Sequence, residues 1–259
     1  MSLVLIDIDA HIATLTLNQP ELHNPISDRP TVDALVAALQ QLDADPEVRV
    51  IILTGAGRSF SSGGNIKTML PDNPDSLAAA DPVDTPANYQ RGIQRIPLVF
   101  EQLKTPVIAA VNGAAMGAGC DLACMCDIRI ASSRARFSEN FVKLGLIAGD
   151  GGAWLLQRIV GFSKAAEMAF TGDMLDAEAA LACGLVSRVV PEESLMEEAR
   201  ALAARIAANP PHAVQQTKRL LVQGRQGSLA TLLETAAAIQ ALMHTTDAHR
   251  DAVEAFSKR

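Results

Sequence analysis

The sequence predicts an α/β fold whose C-terminal region is all helical. Two short β-branched runs, residues 50–53 and 107–111, each end in a glycine-bearing turn and read as buried parallel strands that feed a helix. A third strand follows at residues 127–131, and beyond it the apolar spacing becomes mainly helical.

The elements follow in order. Residues 3–17 alternate loosely with Thr, Ile and Val and then meet Asn18-Gln19-Pro20, which reads as a strand or hairpin closed by a turn. A helix comes next, with Ser27 as its cap, Pro30 in its first turn, and Val32, Leu35, Val36 and Leu39 at helical spacing. Residues 70–88 are rich in Pro, Asp and Ala without periodicity and read as a mobile loop. Later helices are read at residues 163–170, 176–183, 192–208 and 213–222, and a long one begins near Ser228. The resulting division is a core of residues 1–195 and a helical region of residues 196–259.

With 259 residues the chain can bury a large core, and at 3% aromatic content that core must be mostly Ala, Leu, Val and Ile. A formal charge of −7 argues against a nucleic-acid partner, so an anionic ligand would need local Lys or Arg. The start has no basic segment followed by an apolar one, and no apolar run is long enough to span a bilayer. A cytoplasmic protein without a membrane partner is expected. Cys120, Cys124, Cys126 and Cys183 form no CxxC pair and suit a buried helix better than a metal site or disulfides. The five histidines are scattered, with no HExxH, so histidine-based hydrolysis has little support.

Chemistry concentrates in two turns. The first is Gly55-Ala56-Gly57-Arg58-Ser59-Phe60-Ser61-Ser62-Gly63-Gly64-Asn65, and the second is Asn112-Gly113-Ala114-Ala115-Met116-Gly117-Ala118-Gly119-Cys120-Asp121. Small residues let a ligand approach the backbone, and helix N-termini offer unpaired N–H donors, so two such turns can converge on one oxygen. The glycines could also serve only tight loops. A dinucleotide fingerprint lacks its third glycine, and no GxxxxGK[ST] is present.

These blocks, with Leu15-Thr16-Leu17-Asn18-Gln19-Pro20, Asn24, and Leu144-Gly145-Leu146 followed by Gly151-Gly152, resemble the crotonase (enoyl-CoA hydratase/isomerase) superfamily over nearly the full length. The resemblance implies a crotonase-type spiral of repeated ββα units and a helical C-terminal trimerisation region. It also implies a CoA thioester held in a bent pose, with coenzyme A as part of the substrate and no separate cofactor. It puts the oxyanion-hole donors on the N–H groups of Gly64 and Ala118. Such a donor is typically worth about 3–4 kcal/mol when negative charge develops on the thioester oxygen, and a helix start at Ala118 would favour that charge. Contacts to CoA are implied at Leu22, Asn24, Arg58, Ser62, Gly64, Lys67 and Gly117, and across a subunit boundary at Phe256, Lys258 and Arg259. The cations read equally as surface charge, and Phe256 as packing.

Asp121 follows Ala118 by three residues, so on a helix it shares nearly the same face. It matches the family's first catalytic glutamate and is expected to be the principal proton-transfer group, although an aspartate in a first helical turn is also favoured by the dipole. Phe141 stands where the family's second glutamate should be, and a phenyl ring neither orients water nor donates a proton. Two nearby acids could compensate, neither an exact match: Asp150, one residue beyond a position where some family isomerases and dehalogenases keep an aspartate, and Glu139, two residues before Phe141. Asp150 also reads as an N-cap of a helix starting at Gly151, and Glu139 as a solvated surface acid.

The resemblance therefore implies an enzyme acting on an acyl-CoA. Hydration of a 2-enoyl-CoA is the leading reaction and double-bond migration the alternative, with a homotrimer or hexamer as the assembly. The rival class is a noncatalytic CoA-thioester binder that keeps the oxyanion hole alone.

Overall fold

The computed structural model describes residues 2–73 and 76–257. The chain opens with a hairpin in which β1 (Val4–Asp9) and β2 (Ile12–Leu17) pair antiparallel across Ala10 and His11, at φ 47° and 68°. The hairpin turn lies inside the alternating run, where two left-handed residues match the strand twist, and the turn read at Asn18-Gln19-Pro20 follows β2 as a 3-10 turn at Pro20–Leu22.

Next comes α1 (Arg29–Ala44), with Val32, Leu35, Val36 and Leu39 buried as their spacing predicts. Its cap is Asp28, whose carboxylate accepts from Thr31 N at 2.9 Å and also takes the Thr31 hydroxyl. Ser27 is therefore displaced as the cap and lies one residue earlier, where its hydroxyl accepts from Asn65 N at 3.4 Å.

β3 (Val50–Gly55), β5 (Val107–Val111), β7 (Ile128–Ser132) and β10 (Arg188–Val190) extend the sheet in parallel from β2. Every residue of β3 and β5 is buried, as a parallel sheet covered on both faces requires. A second sheet takes β4 (Ser59–Ser61), β6 (Ala114–Met116), β8 (Arg136–Ser138) and β9 (Leu175–Asp176). Successive strand pairs therefore step from one sheet to the other. The second pair is followed by α4 (Ala118–Met125) and the third by α5 (Gly152–Val160), while α2 (Thr85–Arg91) and α3 (Arg95–Gln102) follow the first. This is the spiral of ββα units. Within residues 70–88 the chain is not wholly irregular, since a 3-10 turn at Pro82–Asp84 leads into α2.

Beyond α6 (Phe162–Thr171) and α7 (Ala177–Ala182), α8 (Leu195–Ala207) lays Leu195, Ala199, Ala203 and Ala207 on the sheet against Ile12, Val50, Ile52 and Ile108. Alanine at every fourth position lets the helix sit close to the strands. Lys218 ties α9 (Pro211–Gly224) to this core through Asp127 at 2.7 Å and the Thr105 carbonyl at 2.9 Å. In contrast, α10 (Leu229–Met243) and α11 (Asp247–Ser257) bury no residue within the chain. Cys120, Cys124 and Cys126 are buried in and just after α4, and all four cysteines are free. No helix among the described residues is long and apolar enough to cross a membrane.

Candidate active site

The first glycine turn is anchored by Asn24, which is buried at φ 56°. Its Nδ2 donates to the carbonyls of Ala56 at 2.9 Å and Ser59 at 2.8 Å, and its Oδ1 accepts from Gln19 N at 2.9 Å. With its amide committed to the loop, Asn24 shapes the turn rather than offering its side chain to a ligand. Ser61 continues the brace: its hydroxyl donates to the Asn24 carbonyl at 2.7 Å and accepts from Gly63 N at 3.1 Å.

The second turn meets the first at Gly63. A Cβ there would sit 2.8 Å from Ala118 N, and φ is 75°, so only glycine permits the approach. Gly117, at φ 49°, donates its N–H to the Ser138 carbonyl at 2.8 Å, while its own carbonyl accepts from Cys120 N and Asp121 N. Gly64 and Ala118 then line one cavity of about 130 Å³, together with Ser62, Gly117, Tyr89 and Phe141. Neither Gly64 N nor Ala118 N is spent on a backbone hydrogen bond among the described residues. Two uncommitted donors thus face a shared space, with one of them at the positive end of α4.

Three carboxyl groups are buried beside this cavity. Asp121 on α4 has no exposed surface, and Glu139 after β8 and Asp150 before α5 are each 2% exposed. Among the described residues, both oxygens of Asp121, both of Asp150, and Oε1 of Glu139 lack a hydrogen-bond donor. Ionised carboxylates only accept, so facing carboxyls bond one another only by sharing a proton. Burial holds Asp121 well above the usual carboxylate range, and the charges of Asp150 and Glu139 push it further. Burial likewise raises Asp150 and pushes Glu139 up to about 7. The Tyr89 phenol is raised by burial and by the charge of Asp150.

Only Asp150 of the three lines the cavity shared by Gly64 and Ala118. It makes no cap, since Gly151 at φ 107° takes that position and no side chain closes the α5 N-terminus. Its oxygens stay without a donor among the described residues, so the cap reading fails. Glu139 is not a solvated surface acid either. It lines a second cavity of about 320 Å³.

The remaining residues implied for CoA spread outward. Ser62 and Gly117 line the cavity, whereas Leu22, Arg58 and Lys67 are exposed outside it. Phe256 is exposed on α11, and Lys258 and Arg259 lie outside the described residues. The loop of residues 70–88 contributes Leu77 and Ala78 to the lining. Sequence reasoning missed Tyr89, whose ring packs where a Cβ on Gly149 would come within 2.8 Å. Its one signal was being the only tyrosine in the chain.

A sequence model of the enoyl-CoA hydratase/isomerase family matches residues 7–259. The chain is 35% identical to a short-chain-enoyl-CoA hydratase of Clostridium acetobutylicum over 99% of its length and 95% of the relative's. It is also 35% identical to a 1,2-epoxyphenylacetyl-CoA isomerase of Escherichia coli, with the same coverage of 99% and 95%. A crystal structure of enoyl-CoA hydratase from Mycobacterium smegmatis superposes with a TM-score of 0.90 at 32% identity, covering 99% of this chain and 96% of that one. The two-sheet spiral, the paired glycine turns and full-length similarity agree, and the chain belongs to the enoyl-CoA hydratase/isomerase family.

Proposed function

We propose that this protein moves a double bond in an enoyl-CoA, with Asp150 as the group that takes a proton from one carbon and delivers a proton to another. The N–H groups of Gly64 and Ala118 would hold the thioester oxygen as it becomes an enolate. One observation carries the reading: Asp150 is the single one of the three buried carboxyls that lines the cavity those donors share, while Phe141 lines it where a second acid would stand. Migration needs one base that delivers a proton to a different carbon, and an apolar wall keeps water from adding to the acyl chain. Asp121, expected from sequence to be the principal proton-transfer group, then stands behind Asp150 and shares its proton.

Hydration is the second reading. Burial raises both Asp121 and Asp150, so the pair could together supply a carboxylate and a carboxylic acid, and several relatives are named as hydratases. Incubation with a 3-enoyl-CoA and, separately, with crotonyl-CoA distinguishes the two. Conversion of the first to the conjugated isomer with slow hydration of the second supports migration, and the reverse pattern overturns it.

Self-association as a trimer or a dimer of trimers belongs to the same reading. It is supported by α10, on which Leu229, Leu233 and Leu242 are exposed. The exposed Arg58 and Lys67 would meet CoA phosphates at the mouth of the site.

A further inference from the structure

Glu139 is buried yet stands apart from the cavity of Gly64 and Ala118. The second cavity it lines is walled by Leu156, Ala165 and Ala169, and reaches the surface at Phe162 and Phe170, which are 72% and 78% exposed. Phe141 and Ile147 line both cavities and so form the partition between them. Asp121 lines neither, has no exposed surface, and is within hydrogen-bonding reach of both Asp150 and Glu139 once a proton is shared. Each member carries at least one oxygen without any other donor. A volume of about 320 Å³ accommodates several waters, each needing about 30 Å³.

We propose that Asp150, Asp121 and Glu139 form a proton relay behind Phe141, joining the acyl-CoA cavity to the water of the second cavity. The assignment rests on Asp150 being the base of the reaction. When the α C–H bond breaks, its electron pair stays with the enolate and the proton forms an O–H bond on Asp150. That carboxyl hands a proton to Asp121, Asp121 hands one to Glu139, and Glu139 releases one to water. Each step breaks one O–H bond and forms another, and reprotonation of the product can run the sequence backwards. Asp121 and Glu139 act through Asp150 and are positioning residues for its proton. Among the described residues the groups acting on this trio are each other, Cys120 and Cys124, with no cation among them, and the charge of Asp150 acts in turn on Tyr89. The cluster therefore stays partly protonated, as a relay requires.

The test is the fate of deuterium carried on the acidic carbon of a 3-enoyl-CoA in ordinary water. In the wild type the relay washes the label out before it can be returned to the product. In Glu139→Gln the outer exit is closed, and the fraction of label retained in the product rises by about fivefold or more, while affinity for the substrate is unchanged and Glu139→Asp restores part of the washout. A purely structural role would leave the retained fraction alone. Ala169→Trp, which narrows the outer cavity without altering a carboxyl, should raise retention in the same direction and decides the matter if Glu139→Gln does not fold. Unchanged retention in the folded variants overturns the relay alone. No turnover and no exchange in the wild type overturns the reading of Asp150, and the relay with it.

Discussion

Gly152 packs directly against the carboxyl of Asp121, so closely that any Cβ at that position would overlap the carboxyl oxygens. Residue 152 opens α5 and Asp121 sits in the first turn of α4, so this contact sets how near the two helices lie. It also holds Asp121 beside Asp150, two residues before Gly152. Gly152→Ala forces one helix away and should destabilise the fold by about 1–3 kcal/mol, the usual result of overpacking. Urea unfolding gives the stability change. Turnover per folded molecule should fall as well, and a variant with wild-type stability and turnover would contradict the close approach.

The buried acids give stability an unusual dependence on pH. A carboxyl that binds its proton more tightly in the folded state contributes fully below its unfolded pKa and loses that contribution as pH rises through the folded value. For Glu139 the window runs from 4.5 to about 7. Across it the stability of the wild type relative to Glu139→Gln should fall by on the order of 3 kcal/mol. Asp121 and Asp150, also raised, lower the stability of both proteins with the same sign, so the difference between the two isolates Glu139. Urea denaturation of both proteins at either end of the window checks it, and a constant difference would show that Glu139 titrates alike in both states.

On the proposed reading, Phe141 sets migration above hydration. Phe141→Glu places an acid on the wall of the Gly64 and Ala118 cavity and should raise hydration of crotonyl-CoA by about tenfold or more relative to migration of a 3-enoyl-CoA. The paired rates are the measurement. A folded variant with the wild-type ratio would mean that the missing acid does not limit hydration.

The exposed leucines of α10 should be covered by a second copy of the chain. Sedimentation at micromolar concentration should show a trimer or its dimer, and Leu233→Glu with Leu242→Glu should release monomers. A wild-type monomer under those conditions would contradict the assembly.

Most of the fold was legible because its signals are local. The β-branched runs at residues 50–53 and 107–111, the helical spacing after Val32 and the helix start near Ser228 all lie where their own residues direct them. The two glycine turns were legible for the same reason. Less visible was anything set by packing between distant segments. Ser27 and Asp28 are equally good caps in one dimension, and only the Thr31 contacts choose between them. Glu139 resembles a surface acid until β8 turns it inward, and Asp150 resembles a cap until α5 begins one residue later than the sequence suggests. Tyr89 lies in no recognisable pattern and reaches the cavity through the path of the loop before it.

The most direct test of the central claim is proton exchange at carbon. In deuterated water the wild type should incorporate deuterium next to the thioester carbonyl of an acyl-CoA that cannot complete a reaction, and Asp150→Asn should slow this by about 10²–10⁴ while still binding the thioester. Mass spectrometry of the recovered acyl-CoA reads both. Exchange that persists at the wild-type rate in a folded Asp150→Asn protein would contradict the assignment of Asp150 as the base.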